Sequence, residues 1–304
     1  MTRARQLPDI TNGQVRWHES LIQGGLGFCA LISIVTTATI IFILTRESVG
    51  FFQVIPVKDF LFGTSWVPMF EPSSFGVLPL LWGTLVITIG AALICIPIGL
   101  ASAIYLSEYA SAKQRSIIKP VLELLAGIPT VVYGYFALTF VTPALQYLFP
   151  GIQVFNALSG SIVVGIMVLP MVATLSDNAL RAVPDSLRQG AYALGATSYE
   201  VTTQVVVPAG LSGIIASFLL AISRAIGETM AVTLAAGATP NLSFTFLESI
   251  QTMTAYIVQV SMGDTPAGGV AYQTMFAVAG LLFVITLFLN VIATFILKLS
   301  LIHI

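Results

Sequence analysis

Long apolar runs, rather than any alternation of apolar and polar positions, organise this chain. Six of them reach the length needed to cross about 30 Å of hydrocarbon as helices: Gly24–Leu44, Val77–Leu106, Val121–Phe149, Ser161–Ala182, Pro208–Gly237 and Tyr272–Leu297. The third and fourth are separated by turn chemistry rather than by charge. No charged residue falls between Leu124 and Ser176, a stretch too long for one crossing, and Pro150-Gly151, Asn156 and Ser159-Gly160 interrupt it. The first run follows more than twenty residues and lacks a clear small-residue cleavage site, so it reads as a retained span rather than a signal peptide. The pattern predicts an all-α membrane protein, with an N-terminal segment over 1–23 and one transmembrane domain over 24–304.

Composition agrees: 57% of the 304 residues are hydrophobic and 8% are charged, where soluble domains carry about 25% charged residues. The distribution of Lys and Arg sets the orientation. With the N-terminus inside, Arg3, Arg5, Arg16, Lys113, Arg115, Lys119, Arg181, Arg188 and Lys298 lie on the inner side, against Arg46 and Lys58 on the outer: nine against two. Both termini are therefore expected in the cytoplasm. A net charge of −1 and the lack of a basic stretch argue against nucleic acid as a partner. Cys29 and Cys95 lie in separate apolar runs and read as packing residues, and two histidines near opposite termini, His18 and His303, make no metal site.

Arg224 and Glu228 are the only charged residues between Glu200 and Glu248, and both fall mid-way along the fifth run. An arginine at the centre of a membrane helix costs about 2.5–3.5 kcal/mol on insertion scales, so such residues face a bundle interior or an aqueous path and take partners. At i and i+4 the two would share a helix face, about 6 Å apart along the axis. Either a structural ion pair or a functional site satisfies that pattern. Ser223, Gly227, Ala231 and Ala235 recur every four residues on the adjoining face, a small-residue stripe that suits close helix packing. Pro97, Pro129, Pro143 and Pro170 fall inside apolar runs and are expected to kink them.

The two outer loops differ in character. Residues 46–76 hold Phe51, Phe52, Phe60, Phe62, Trp66, Phe70 and Phe75 among prolines and glycines, which suits burial at the membrane interface ahead of a docking surface. Within 238–271, the run Phe244–Met262 is expected to form an amphipathic or re-entrant helix.

The inner loop 183–207 reads as two short helices. Pro184 and Asp185 suit a first turn, Gly195 suits a left-handed stop, and Thr197-Ser198-Tyr199-Glu200 has capping-box form ahead of a second helix leading to Pro208. In this loop Gln189-Gly190-Ala191, Gly195 and Val205-x-Val207-Pro208 resemble the EAA loop through which permeases of ATP-binding-cassette importers insert a coupling helix into their ATPase. Gln189 and Gly190 replace the acidic residue and alanine usual there, which removes a charge contact while keeping the hinge at Gly195 and the junction at Pro208. Four further stretches, FGVLPLLWGT (75–84), IYLSEY (104–109), LAGIPTVVYG (125–134) and SRAIGETMAV (223–232), are similar to the PstC-type permease of the bacterial phosphate-specific importer.

That resemblance implies a type I importer permease bundle of six helices in the inner membrane, forming half of a path for inorganic phosphate. It also implies a PstA-type second permease, a homodimeric ATPase and an extracytoplasmic phosphate-binding protein as partners, beside membrane lipids. The family implicates Arg224 and Glu228 in phosphate passage. An arginine offers a fixed charge and a planar donor array to phosphate oxygens; Glu228 would hold Arg224, keep the empty site near neutral, or accept a bond from a protonated phosphate, the first being preferred. Thr130 and Tyr133, after the Pro129 kink, are candidate polar liners. None of Lys58, Lys113, Lys119 and Lys298 follows a glycine as in a phosphate-binding loop. The chain is thus expected to be non-catalytic and without a cofactor of its own, ATP and Mg being bound by the partner ATPase. A sulfate-type oxyanion permease and an ion-coupled secondary transporter are the alternatives. An intramembrane enzyme finds no support, for want of a metal motif or a nucleophile with its base.

Overall fold

The computed structural model describes residues 17–263, 265, 266 and 268–301. Arg3, Arg5, Arg16 and His303, which entered the orientation and metal arguments, lie outside the described residues. Residues 1–46 and 47–304 form two compact units.

The described part of the first unit belongs to helix α1 (Trp17–Val54). Thr37, Thr39 and Thr45 each donate their hydroxyl to the carbonyl four residues back, at 2.8–2.9 Å, which satisfies polar side chains without leaving the helix. Every side chain from 19 to 43 is exposed, a surface suited to lipid or a protein neighbour.

The second unit is built on α3 (Leu78–Ile104) and α7 (Ala157–Arg181), packed along their lengths. Small residues permit the approach: a methyl group on Gly99 would meet Val172 Cβ at 2.8 Å, and one on Gly165 would meet Ile94 Cβ at 3.0 Å. Around this pair Ile87, Ala91, Val163, Val164 and Val168 form a fully buried core with Ala231, Val232 and Ala235.

The third apolar run is not one helix. It divides into α4 (Ala112–Gly127) and a segment beginning with α5 (Thr130–Phe136), because Pro129 forces Ile128 into extended backbone, ψ 129°. Helix α4 starts nine residues ahead of the expected Val121, where Ser111 and Gln114 cap it reciprocally. The apolar crossing is Thr130–Leu148, with a wider π-helical turn over Ala137–Val141 before α6 (Thr142–Leu148).

The loop 183–207 carries α8 (Asp185–Ala193) and a second helical stretch comprising α9 (Ser198–Glu200), a π-helical turn (Val201–Val206) and α10 (Val207–Ala209). A 67° bend separates this stretch from α11 (Leu211–Ile226). Both the 137–141 and 201–206 turns end two residues before a proline, Pro143 and Pro208. A proline lacks the N–H that would bond to the residue four back, and its ring crowds that carbonyl, so the preceding turn opens.

The end of α1 and the loop after it bring part of the aromatic set together in a core, while Phe62 and Phe70 stay exposed. Phe51, Phe60 and Trp66 are buried, and Phe51 meets Phe52, Phe60 and Phe75 edge to face at 5.3–5.8 Å. Helix α2 (Val57–Phe62) and the pair β1 (Trp66–Val67) and β2 (Ser74–Phe75) hold the cluster. Among the described residues between Ala238 and Gly269, the helix is α13 (Met253–Met262), shorter than the expected Phe244–Met262. The residues before it form a non-helical segment with a turn at Phe246 and Leu247; Leu247, Glu248 and Phe246 accept backbone bonds from Gln153, Ala157 and Leu158. Helix α14 (Val270–Leu301) closes the chain's described part.

Candidate functional site

Arg224 and Glu228 do not share a helix face. Helix α11 stops at Ile226, Gly227 caps it, and α12 (Met230–Ala236) begins only after Thr229. Glycine is about 1 kcal/mol less favourable than alanine inside a helix, and here the break follows it. The Gly227 N–H still reaches the Ser223 carbonyl and the Glu228 N–H the Ala225 carbonyl, each at 3.3 Å, which tightens the last turn. The expected small-residue stripe is cut at the same place: Ala231 and Ala235 are buried, Gly227 is exposed, and the enclosed Ser223 hydroxyl has no hydrogen-bond partner among the described residues.

The break gives the two charges different surroundings. Glu228 is 8% exposed; its Oε1 accepts the Ala231 N–H at 3.3 Å, an acceptor placed at the start of α12, and its carbonyl accepts the Thr254 hydroxyl at 2.7 Å. Arg224 is exposed, and among the described residues it makes neither an ion pair nor a hydrogen bond. The preferred role for Glu228, holding Arg224, is therefore corrected: the carboxylate caps the start of α12, and the backbone carbonyl of the same residue ties the break to α13.

Thr130 and Tyr133 sit on α5, which packs against α12; a methyl group on Gly134 would meet Leu234 Cβ at 2.8 Å. Thr130, half-buried, opens the helix. Tyr133 is buried and donates its hydroxyl to the Leu125 carbonyl at 2.8 Å, a bond that spans the Pro129 break. That bond uses the hydroxyl's one proton.

The inner loop follows its sequence signals closely. Gly195 has φ +88°, and the Gly195 and Ala196 N–H groups bond to the Tyr192 and Ala191 carbonyls at 3.0 and 3.2 Å, the Schellman arrangement in which glycine bears the left-handed turn. Thr197 and Glu200 cap each other as a box. Pro184 lies one position earlier than expected, at the N-cap. Gln189 and Gly190 are exposed, Ala191 packs inward on Leu180, Val183 and Val206, and Pro208 lies in α10. Leu194, 91% exposed, stands out from the turn beside Leu187 and Tyr192.

Sequence reasoning missed two ion pairs, one of which ties this loop to the end of α3 and the other α4 to α7. Arg188 on α8 forks onto Glu108, with Nη2 to Oε1 at 3.1 Å and Nε to Oε2 at 3.3 Å, and Nη2 also donates to the Leu180 carbonyl at 2.8 Å. Glu108 lies in a π-helical turn (Tyr105–Tyr109) that extends α3. The Glu108 hydrogen bond raises the Arg188 guanidinium pKa above its ordinary value. Arg115 on α4 grips Asp177 of α7 with two bonds, at 2.9 and 2.6 Å. Sequence separations of 80 and 62 residues gave no signal for either pairing.

The comparisons with known proteins meet this geometry. The chain belongs to the family of binding-protein-dependent transport system inner membrane components, which its residues 95–299 match. It is accordingly a multi-pass inner-membrane permease subunit of the ATP-binding-cassette importers, in which ATP hydrolysis belongs to a separate chain. Among relatives, it is 35% identical to the probable ABC transporter permease protein YqgH of Bacillus subtilis, over 87% of this chain and 85% of that one. It is 34% identical to the phosphate transport system permease protein PstC of Mesorhizobium japonicum (79% and 78% covered) and 32% identical to that of Haemophilus influenzae (89% and 90%). Among solved structures, the inward-facing MetNI methionine ABC transporter matches with a TM-score of 0.58 at 18% identity, over 76% of this chain and 99% of that one. A bacterial alginate ABC transporter in complex with a pentasaccharide-bound periplasmic protein matches with a TM-score of 0.55 at 16% identity, over 91% and 96%. These two likenesses speak for the bundle, that of a type I importer permease.

Proposed function

We propose that this permease carries inorganic phosphate inward, forming half of the path with a PstA-type second permease. An extracytoplasmic phosphate-binding protein delivers the anion, and a homodimeric ATPase that binds ATP and Mg drives the cycle. The relatives named for phosphate transport support the cargo, and one feature of this chain supports it independently. Arg224, at membrane depth on an interrupted helix, has no protein partner among the described residues and keeps its guanidinium donors for an anion. Thr130 stands on the element packed against the same break. The loop 183–207 and both termini face the cytoplasm, where Gln189, Gly190 and Ala191 on α8, the Gly195 hinge and the Pro208 junction present the exposed Leu187, Tyr192 and Leu194 to the ATPase.

The test is uptake of radiolabelled phosphate by the assembled transporter in vesicles. Arg224→Gln should lower uptake about 10- to 100-fold, the worth of one or two charge-assisted hydrogen bonds, while the complex still assembles. Wild-type uptake by Arg224→Gln would remove the arginine from the path. Excess sulfate inhibiting wild-type uptake as strongly as unlabelled phosphate would widen the cargo to oxyanions in general.

A further inference from the structure

A cavity of about 550 Å³ lies outside the proposed path, against α4 and the end of α7, lined by Arg115, Ser116, Lys119, Pro120, Glu123 and Arg181. Arg115, Lys119 and Glu123 recur every four residues along one side of α4, so their side chains project in one direction. Arg181 is the last residue of α7, which places the cavity where a long apolar span ends. The three cations are not equally engaged. Arg115 is taken up by Asp177 and the Leu106 carbonyl. Arg181 meets Asp177 through Nε alone, at 3.4 Å, and stays half exposed. Lys119 has no hydrogen-bond or ion-pair partner among the described residues. Two cationic groups therefore face the cavity with donors to spare.

The far side of α4 identifies the phase around it. Ile117, Val121 and Leu124 are 58%, 50% and 73% exposed, and at i, i+4 and i+7 they form an outward apolar face opposite the cations. A helix with one face apolar and the other cationic, at the end of a membrane span, lies in the interfacial zone. The anions abundant at that depth are phospholipid headgroups, and basic pockets between spans on the inner side are the kind of site they occupy.

We propose that this cavity binds the headgroup of an anionic phospholipid, with its phosphate on Lys119 and Arg181 and its headgroup hydroxyls toward Glu123. The carboxylate makes the selection. A bare phosphate dianion would meet Glu123 as a like charge, whereas a glycerol headgroup offers it hydroxyl donors. The site is separate from the phosphate path and does not depend on its cargo. A bound lipid there bridges α4 to α7 beside the Arg115–Asp177 pair.

The probe is phosphatidylglycerol, titrated into the detergent-solubilised full chain, with binding read by native mass spectrometry. Phosphatidylcholine is the matched zwitterionic control. The K119Q/R181Q variant, which leaves Arg115 on Asp177, should bind phosphatidylglycerol about 25-fold more weakly, about five-fold for each cation removed, and Lys119→Arg should bind as the native chain does. Equal binding of phosphatidylglycerol by the native chain and K119Q/R181Q would overturn the proposal, as would native binding of phosphatidylcholine with equal strength. Retention of radiolabelled inorganic phosphate by the lipid-free native chain, lost in K119Q/R181Q, would make the cavity a free-phosphate site and overturn the lipid assignment.

Discussion

At the scale of single residues, the structure reverses the prominence that two arginines have in the sequence. Arg224 was legible because it interrupts an apolar run, and its guanidinium has no partner among the described residues. Arg188 sits in a polar loop where charge is unremarkable, yet it is the more deeply committed side chain. Its guanidinium holds Glu108 at the end of α3's π-helical turn and the Leu180 carbonyl in α7, with side-chain exposures of 15% for Arg188 and 9% for Glu108. Removing one member of a buried pair strands the other, at a cost of about 3–5 kcal/mol. Arg188→Met should therefore lower the thermal stability of the solubilised chain by about that amount, and adding Glu108→Gln should restore part of it. A double variant no more stable than Arg188→Met alone would show that the loss comes from the backbone carbonyl contacts instead.

At the scale of elements, local chemistry was readable wherever a side chain acts on its own backbone. The Gly195 stop and the Thr197–Glu200 box are such cases, since both depend on residues within a few positions of each other. Gly195 has open space around the position of a side chain, so a substitution there tests conformation without steric conflict. Gly195→Val places a β-branched residue at φ +88°, which costs at least about 1–2 kcal/mol. It should reduce phosphate uptake and ATPase co-purification while membrane insertion persists. Undiminished uptake by a well-expressed Gly195→Val complex would remove this turn from energy coupling. Helix continuity was harder to read. The third run looked like one crossing because apolar composition passes unbroken through Ile128-Pro129, and the fifth did so because a single glycine does not oblige a helix to end. The π-helical turns before Pro143 and Pro208 leave a trace in sequence only through the prolines themselves.

At the scale of the whole molecule, the second unit depends on how closely α3 and α7 approach. Water is absent from a bilayer core, so helix association there rests on packing and hydrogen bonds. Gly99 is a sharp probe, because its missing side chain is the space that Val172 fills. Gly99→Val should destabilise the chain by about 1–3 kcal/mol through overpacking, measurable as earlier unfolding on heating in detergent. Gly127→Val, at a glycine with nothing within 4 Å, is the control and should cost about 1 kcal/mol or less. Equal losses in the two variants would refute close packing as the reason for Gly99.

The sequence by itself determined the apolar runs, the preference for helix throughout, the caps of the inner loop and the presence of two charges at membrane depth. Each follows from residue type and short-range spacing, which act before the chain has a tertiary fold. Only the tertiary structure decided that Glu228 bonds to α12 and α13 rather than to Arg224, that Tyr133 donates its hydroxyl to Leu125, and that Phe51, Phe60 and Trp66 are buried in one cluster. It also decided which partners Arg188 and Arg115 take. These outcomes depend on groups brought together from distant positions, Thr254 to Glu228 and Glu108 to Arg188. Where a helix breaks, and which buried donor reaches which acceptor, is settled by the competing demands of all the packed neighbours at once, and no single segment carries that information.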